Sequence, residues 1–561
     1  MNELPKMKNQ TAKIFCGLLL ALSAICANAQ DAAEDAAPAT VLPTTYEAMV
    51  AALPEASYDD KELLLQKISQ SGNPQAPNLL HALLDGRLMA TEAGKVYISQ
   101  SSDEALAAKN LSDAITGAAV TGVNAESISP IGTNNRLRKG LRALCAQLDL
   151  ASADADARSK AVQSIMRDLD EAGTAALRAR LPLEKESSIQ KSISSALALA
   201  DLQSADANIR LAAVETLSGD ISSEVYNGLT TLITKNDDGS FTEPDLRVRT
   251  AAAEGIRKIE TRRKAYGALE TLFFGLSLGS VLVLAAIGLA ITFGVMGVIN
   301  MAHGELIMLG AYTTYVMQLL MPQHIALSLF LSVPAAFLVS GLVGVGIERG
   351  IVRFLHGRPL ETLLATFGLS LVLQQLVRSV FSPLNRSVAS PEFMSGSLVI
   401  NDAFSVTYNR LYIVFFMLIV FAALQLILKR TSLGLKVRAV SQNRAMARAM
   451  GVRTEWIDAA TFGLGSGIAG VAGVALSQLT NVGPNLGQAY IIDSFMVVVF
   501  GGVGSLWGTL ISGMSLGVVN KLLEPWAGAV MAKILVLVFL IVFIQKRPRG
   551  LFPQKGRSVE N

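Results

Sequence analysis

The sequence predicts an all-α protein in two parts, a polytopic bundle of membrane helices preceded by a mostly helical domain outside the membrane. Three observations predict it. Apolar segments of membrane-spanning length follow one another from Thr271 to the C-terminus, whereas residues 44–265 hold no long apolar run and carry an internal repeat. The whole chain is also too apolar for an average soluble protein, with mean hydropathy +0.42 and 17% charged residues over 561 positions. A net charge of +3 is close to balance for this length, which argues against a nucleic-acid-binding surface.

The chain begins with Lys6, Lys8 and Lys13, an apolar run from Ile14 to Ala27, then Ala27-Asn28-Ala29 and the polar Gln30-Asp31. That order is the layout of a secretory signal peptide, residues 1–29, cleaved after Ala29. An apolar run of about fourteen residues falls short of the ~20 needed to cross a bilayer. Residues 31–43, rich in Ala, Asp, Glu and Pro, read as a linker. With the signal removed, Cys145 is the last of three cysteines, so no internal disulfide can form.

Within the predicted outer domain, residues 30–265, a short pattern recurs. Asp154 with Arg158 and Ala161-Val162 returns as Asp206 with Arg210 and Ala213-Val214, and more weakly as Asp245 with Arg249 and Ala253. An Asp at a helix start, an Arg four residues on and a small-plus-aliphatic face describe helix pairs stacked as in HEAT-like solenoids. Arg87 to Ser99 is the one stretch that reads as a hairpin.

The membrane domain, residues 266–561, holds apolar segments near 271–298, 305–321, 325–347, 360–381, 410–428, 458–478, 490–503, 506–521 and 529–545. The pair around Gly501 to Gly508 reads either as two thin passes or as one re-entrant hairpin. Both choices give an odd number of crossings. Arg349, Arg353 and Arg358, the series from Lys429 to Arg453, and Lys546, Arg547 and Arg549 then fall on one side, the cytoplasmic one. Arg257 to Lys264 opposes this rule, since it would lie outside. Gly275/Gly279, Gly346/Gly350, Gly463/Gly467 and Gly513/Gly517, each pair four apart, mark close helix packing.

Asn300, His303 and Glu305 sit between two apolar segments. A polar group at membrane depth caps a broken helix, pairs internally or lines a solute path. Their spacing is not that of a zinc hydrolase, and no metal site or cofactor is expected. Ala445 to Gly451 reads as a short amphipathic helix ending at a glycine. The chain has no Gly-x-x-x-x-Gly-Lys-Ser/Thr phosphate loop, so it is not expected to be an enzyme that hydrolyses ATP by that route.

Residues 279–315, GSVLVLAAIGLAITFGVMGVINMAHGELIMLGAYTTY, resemble the opening of permeases of the branched-chain amino acid and urea class of ABC importers. The resemblance continues through Ile347-Glu-Arg-Gly350, Thr366-Phe-Gly-Leu-Ser370, Gly434 to Ser441, Gly501 to Gly508 and Arg547 to Phe552. It implies an inner-membrane permease subunit that takes its energy from ABC ATPase subunits, beside a second related permease and a periplasmic solute-binding protein. It also implies that Ala447, Arg448 and Gly451 belong to the helix that couples to the ATPase, although Ala445 stands where an acidic residue is usual. A stand-alone secondary transporter or channel is the rival reading.

Within the class, the large N-terminal domain and Gly483 to Phe495 resemble the urea branch, with branched-chain amino acids as the alternative solute. Asn481, Asn485, Gln488 and Tyr490 would then offer amide and hydroxyl partners, or else cap helix ends. The topology is testable with reporter fusions. A reporter active only outside the cytoplasm should work after residue 200, and one active only in the cytoplasm after residue 440; the reverse pattern would invert the membrane domain.

Overall fold

A computed structural model describes residues 43–91, 94–100, 111–120, 123, 127–401 and 403–552; the expected signal segment, with Cys16 and Cys26, lies outside them. Two compact units emerge, Met1–Leu217 with Thr231–Ala252, and Ser218–Thr230 with Ala253–Asn561.

The first unit opens with three helices, α1 Tyr46–Ala52, α2 Tyr58–Gln70 and α3 Ala76–Leu84. Their inward faces, Leu64, Leu65, Ile68, Leu79, Leu80 and Leu83, are buried with Leu88 and Leu141 in one core. Ser57 caps α2 by accepting from Asp60 N, with Asp59 and Asp60 favouring the positive end of the helix dipole. The expected hairpin is present as β1 Leu88–Thr91 paired with β2 Val96–Ser99, Met89 opposite Tyr97.

The all-α expectation needs correcting here, because the hairpin is the centre of a five-stranded antiparallel sheet. β3 Leu111–Asp113, β4 Ala119–Val120 and β5 Ile128–Pro130 complete it in the order β4-β3-β2-β1-β5. Strands of two or three residues are too short to show the alternation by which a strand is read from sequence.

Five helices follow: α4 Asn135–Asp149, α5 Ala155–Arg167, α6 Glu171–Arg180, α7 Ser187–Asp201 and α8 Ala207–Leu217, with α9 Ser223–Ile233 after them. The repeated Asp-x-x-x-Arg has the same geometry in each copy. Asp154, Asp206 and Asp245 accept from the backbone N–H two residues on, at 3.1, 2.8 and 2.8 Å. The arginine Nη1 turns back onto the carbonyls six and five residues earlier. Arg158 reaches Ser152 and Ala153, Arg210 reaches Ser204 and Ala205, and Arg249 reaches Glu243 and Pro244, all between 2.8 and 3.1 Å.

Two of the three arginines also hold a buried glutamate in bidentate fashion. Arg158 Nε and Nη2 donate to Glu184 at 2.8 and 3.0 Å, and Arg210 donates to Glu243 at 2.7 and 2.8 Å. Each arginine thus satisfies a helix entry and ties it to a later segment of chain.

Cys145 is free and buried; burial, then the nearby Asp149 and Asp85, push its thiol up to about 12. It is unreactive while the unit is folded.

The second unit is a helical bundle. Among the described residues, six helices are long and apolar enough to cross a membrane: α10 Leu246–Met296, α12 Ile325–Gly350, α13 Pro359–Phe381, α14 Tyr408–Arg430, α17 Thr454–Ser477 and α19 Leu506–Lys546. α11 His303–Leu320 and the short α18 Leu486–Gly501 pack among them; α15 Ser432–Gln442 and α16 Arg444–Ala449 lie between α14 and α17. α19 is two helical stretches joined at Gly528 (φ 77°, ψ 161°), three residues after Pro525, matching the separate apolar segments read at 506–521 and 529–545.

α17 is almost wholly buried and packs along α12 and α11. Small residues permit this. A side chain at Gly470 would strike the backbone of Ala336, and one at Gly310 that of Gly470. Two of the expected glycine pairs meet each other, since Gly517 lies against the backbone of Gly279 and Gly275 against Val518. Gly346 and Gly350 face open space, so that pair packs nothing in this chain.

Replacing Arg158 by Met should destabilise the first unit, because buried Glu184 loses its bidentate partner and keeps only Arg180 and the Lys185 and Glu186 N–H groups. The check is denaturant-dependent labelling of Cys145 in the full chain, read by mass spectrometry. The pH dependence follows from Glu184, held at about 2 chiefly by the Arg158 hydrogen bonds, against an ordinary 4.5. A depressed carboxylate stabilises above its unfolded pKa and loses that contribution as pH falls through the folded value. Wild type should therefore lose stability between about pH 4.5 and 2, and Glu184→Gln should flatten that slope.

Candidate translocation site

Between α10 and α11 the chain leaves the helix at Gly297 (φ 68°) and re-enters at His303. The six residues between must satisfy their backbone groups from the protein, and side chains do much of this. Asn300, 1% exposed, accepts from Ala302 N at 3.0 Å. Met301 N donates to Thr366 Oγ1 of α13 at 3.1 Å. His303 is fully buried, and its Nε2–H donates to the Ala285 carbonyl at 2.8 Å, which leaves Nδ1 as an acceptor without a partner. Its ring lies against Gly288, where a Cβ would touch it and the Gly465 carbonyl.

Glu305, one turn into α11, is 1% exposed. Its Oε1 accepts from Ser370 Oγ at 3.0 Å and Gln374 Nε2 at 2.8 Å, while Oε2 has no hydrogen-bond partner. Arg378 is near enough to act on Glu305 electrostatically, and it donates to Asn485 Oδ1 at 2.7 Å.

These contacts expose a pattern that sequence reading missed. Thr362, Thr366, Ser370, Gln374 and Arg378 recur every fourth residue along α13, the first four buried and Arg378 half-buried. At 1.5 Å per residue the stripe runs about 24 Å, most of a ~30 Å hydrocarbon core. Leu360, Leu364, Leu371 and Leu376 on the other faces are exposed. The four-residue spacing was visible in the sequence, but threonines and serines barely alter a hydropathy average.

The structure therefore gathers Asn300, His303 and Glu305 at the break and ties Asn485 to the same stripe through Arg378. It does not gather the rest. Asn481 and Gln488 are exposed, and Tyr490 packs its ring among apolar neighbours.

A second polar cluster surrounds α16. Asn443 caps this helix by accepting from Met446 N at 2.9 Å. Ala447 is buried against Val437, Val440 and Ile457, while Met446 and Met450 are exposed. Arg448 Nη2 donates to Thr454 Oγ1 at 3.2 Å, and Gly451 (φ 83°) ends the turn in the left-handed region. Arg444 bonds both Asp458 of α17 and His356. Burial, then the charge of Arg444, hold His356 below the ordinary imidazole value, so it is a neutral acceptor. Arg353 pairs with Glu455 at 2.8 Å, and Arg349 lies over the Trp456 ring. Asp458 and Arg444 were not among the expected residues; an acid in the first turns of an apolar helix after a basic loop was their signal.

Residues 271–544 match the family described as branched-chain amino acid transport system / permease component. The high-affinity branched-chain amino acid transport system permease protein LivH of Salmonella typhimurium is 31% identical over 294 residues, 50% of this chain and 94% of that protein. The chain belongs to this permease family. The corresponding protein BraD of Pseudomonas aeruginosa is 30% identical over 296 residues, 51% of the permease described here and 96% of BraD. The ribose import permease protein RbsC of Escherichia coli is 26% identical over 276 residues, 47% of this permease and 81% of RbsC. No solved structure matches. The permease is thus the membrane component of an ABC importer, a transport component rather than an enzyme.

Proposed function

We propose that this permease carries branched-chain amino acids inward as one membrane-spanning subunit of an ATP-driven importer. The observation that carries the reading is the match over residues 271–544, which takes in the break at Asn300, Glu305 and the α13 stripe. The sequence alone favoured urea; the matched relatives are named for branched-chain amino acids or ribose and put the alternative first. Urea remains the second reading on one specific observation. The matches take up 94% and 96% of the branched-chain permeases but only half of this chain, so residues 30–265 are additional to them.

In this reading residues 30–265 form a periplasmic, HEAT-like domain that scaffolds or docks, and the C-terminus is cytoplasmic. Two ATPase subunits supply energy, a second related permease completes the path, and a periplasmic solute-binding protein delivers the solute. Closure of the ATPases displaces α16, and the permeases rock to open the path outward and then inward. Affinity resides in the binding protein, so the permease needs only weak, transient contacts.

Two measurements test the reading. Cells lacking this gene should lose uptake of labelled leucine supplied at low concentration and keep passive entry of urea. Loss of urea uptake with leucine uptake intact would select the second reading. Gly451→Arg should leave the permease inserted but lower uptake and transport-linked ATP hydrolysis about tenfold, since a bulky charge is forced into the left-handed turn that ends α16. Normal coupling in that variant would remove Ala447, Arg448 and Gly451 from the ATPase contact.

A further inference from the structure

Glu305 of α11 faces the α13 stripe with one oxygen, Oε2, that has no hydrogen-bond partner. A buried carboxylate is tolerated when its lone pairs are filled, and here Ser370 and Gln374 fill one oxygen only. One helical turn beyond Gln374 stands Arg378, half-buried, its guanidinium held by the exposed Asn485. Gln374 and Arg378 are about 6 Å apart along the helix axis, comparable to the length of a small solute. The stripe thus has an acceptor at one pole and a fork of N–H donors at the other.

We propose that Glu305 and Arg378 are the two poles of a transient solute site between α11 and α13, Glu305 Oε2 accepting N–H from the solute and Arg378 donating to its oxygen. The inference rests on the permease reading above and names the part of the path that reads the solute. The chemistry required is a small molecule with N–H donors at one end and an oxygen acceptor at the other. An amino-acid zwitterion supplies these as ammonium and carboxylate; urea supplies them as amide N–H and carbonyl. In the state described here the site is shut, because Glu305 is buried and its Oε1 is bonded across to α13. Parting the two helices exchanges those bonds for bonds to the solute.

The two sources respond differently to the same substitution. A carboxylate bound by Arg378 needs a positive charge, which a lysine keeps and a glutamine does not, whereas a carbonyl needs only an N–H, which a glutamine retains.

The experiment is uptake of labelled leucine and labelled urea by the complete importer in proteoliposomes, with assembly followed by co-purification of the ATPase subunits. Glu305→Gln should reduce uptake of whichever solute wild type carries by about tenfold or more, with assembly intact, because one of the two acceptor oxygens becomes an amide NH2 that cannot accept. Arg378→Gln should reduce leucine uptake by a similar factor but urea uptake by less than about threefold, and Arg378→Lys should restore most leucine uptake.

Uptake by both Glu305→Gln and Arg378→Gln within about twofold of wild type would overturn the inference while leaving the permease reading standing. Should Glu305→Gln fail to assemble, Glu305→Asp replaces it, keeping the carboxylate but drawing the acceptor back, with reduced uptake expected and uptake within about twofold of wild type overturning the inference. If leucine is the solute, an equal loss of about tenfold in Arg378→Gln and Arg378→Lys would mark the arginine as a packing residue and also overturn it; if urea is the solute, a loss of about tenfold or more in Arg378→Gln would do the same. A wild-type importer that moves neither solute would instead overturn the function on which the inference rests.

Discussion

A break in a helix at membrane depth has no water to satisfy its backbone, so every freed N–H and carbonyl must find a protein partner or cost several kcal/mol. Residues 297–302 are such a break, and much of the second unit is arranged around it. Asn300 accepts from Ala302 N, Thr366 reaches across from α13 to Met301 N, and His303 spends its donor on the Ala285 carbonyl. These bonds bind α10, α11 and α13 together at one level. The same level carries Glu305, which is why the residues capping the break and the residues offering a solute contact are neighbours in sequence.

Backbone proximity turns this junction into a unit that can move. α17 lies against α11 and α12 through glycines, with no side-chain layer between Gly310 and Gly470 or between Gly473 and Ile307. Its first turns hold Glu455 and Asp458, which pair with Arg353 and Arg444. Under the proposed coupling, a displacement of the six-residue helix α16 would reach the start of α17 first through these pairs, and α17 packs backbone to backbone on α11.

Much of this arrangement was legible in the sequence. The segments read at 325–347 and 360–381 are Ile325–Gly350 and Pro359–Phe381, because an apolar run bounded by charge has few other outcomes. Asp154 and Arg158 were recognised as a repeated helix start, and the structure gives the reason, a cap plus an arginine folded onto two carbonyls. What could not be read is long-range. Nothing in Gly275 and Gly279 says that they meet Gly513 and Gly517, and Gly346 and Gly350 show the same spacing yet face open space. The sheet around Met89 was missed for the opposite reason, since its outer strands are too brief to leave a period. Glu305 was singled out as polar at depth, but its partners Ser370 and Gln374 lie on a helix whose mean hydropathy hides them.

The α13 stripe also shows how polarity is kept in lipid at low cost until it is needed. Thr362 and Thr366 donate to carbonyls one turn back in their own helix, Arg358 and Thr362, so their hydroxyls are satisfied whatever the neighbouring helix does. Ser370 and Gln374 differ, because each also bonds across to Glu305, a contact that exists only while α11 and α13 touch, beyond the Gln374–Ser370 bond within α13. Separation of α11 from α13 would free two donors and one more carboxylate oxygen at the same place, while the threonine hydroxyls keep their donations within their own helix and Thr366 gives up only its acceptance from Met301 N. In a dry gap those three groups would be expensive, and the gap is stable only if water or a polar solute fills it. At the proposed solute site, opening and solute entry would then be one event, with the cost of the empty open state acting against leakage.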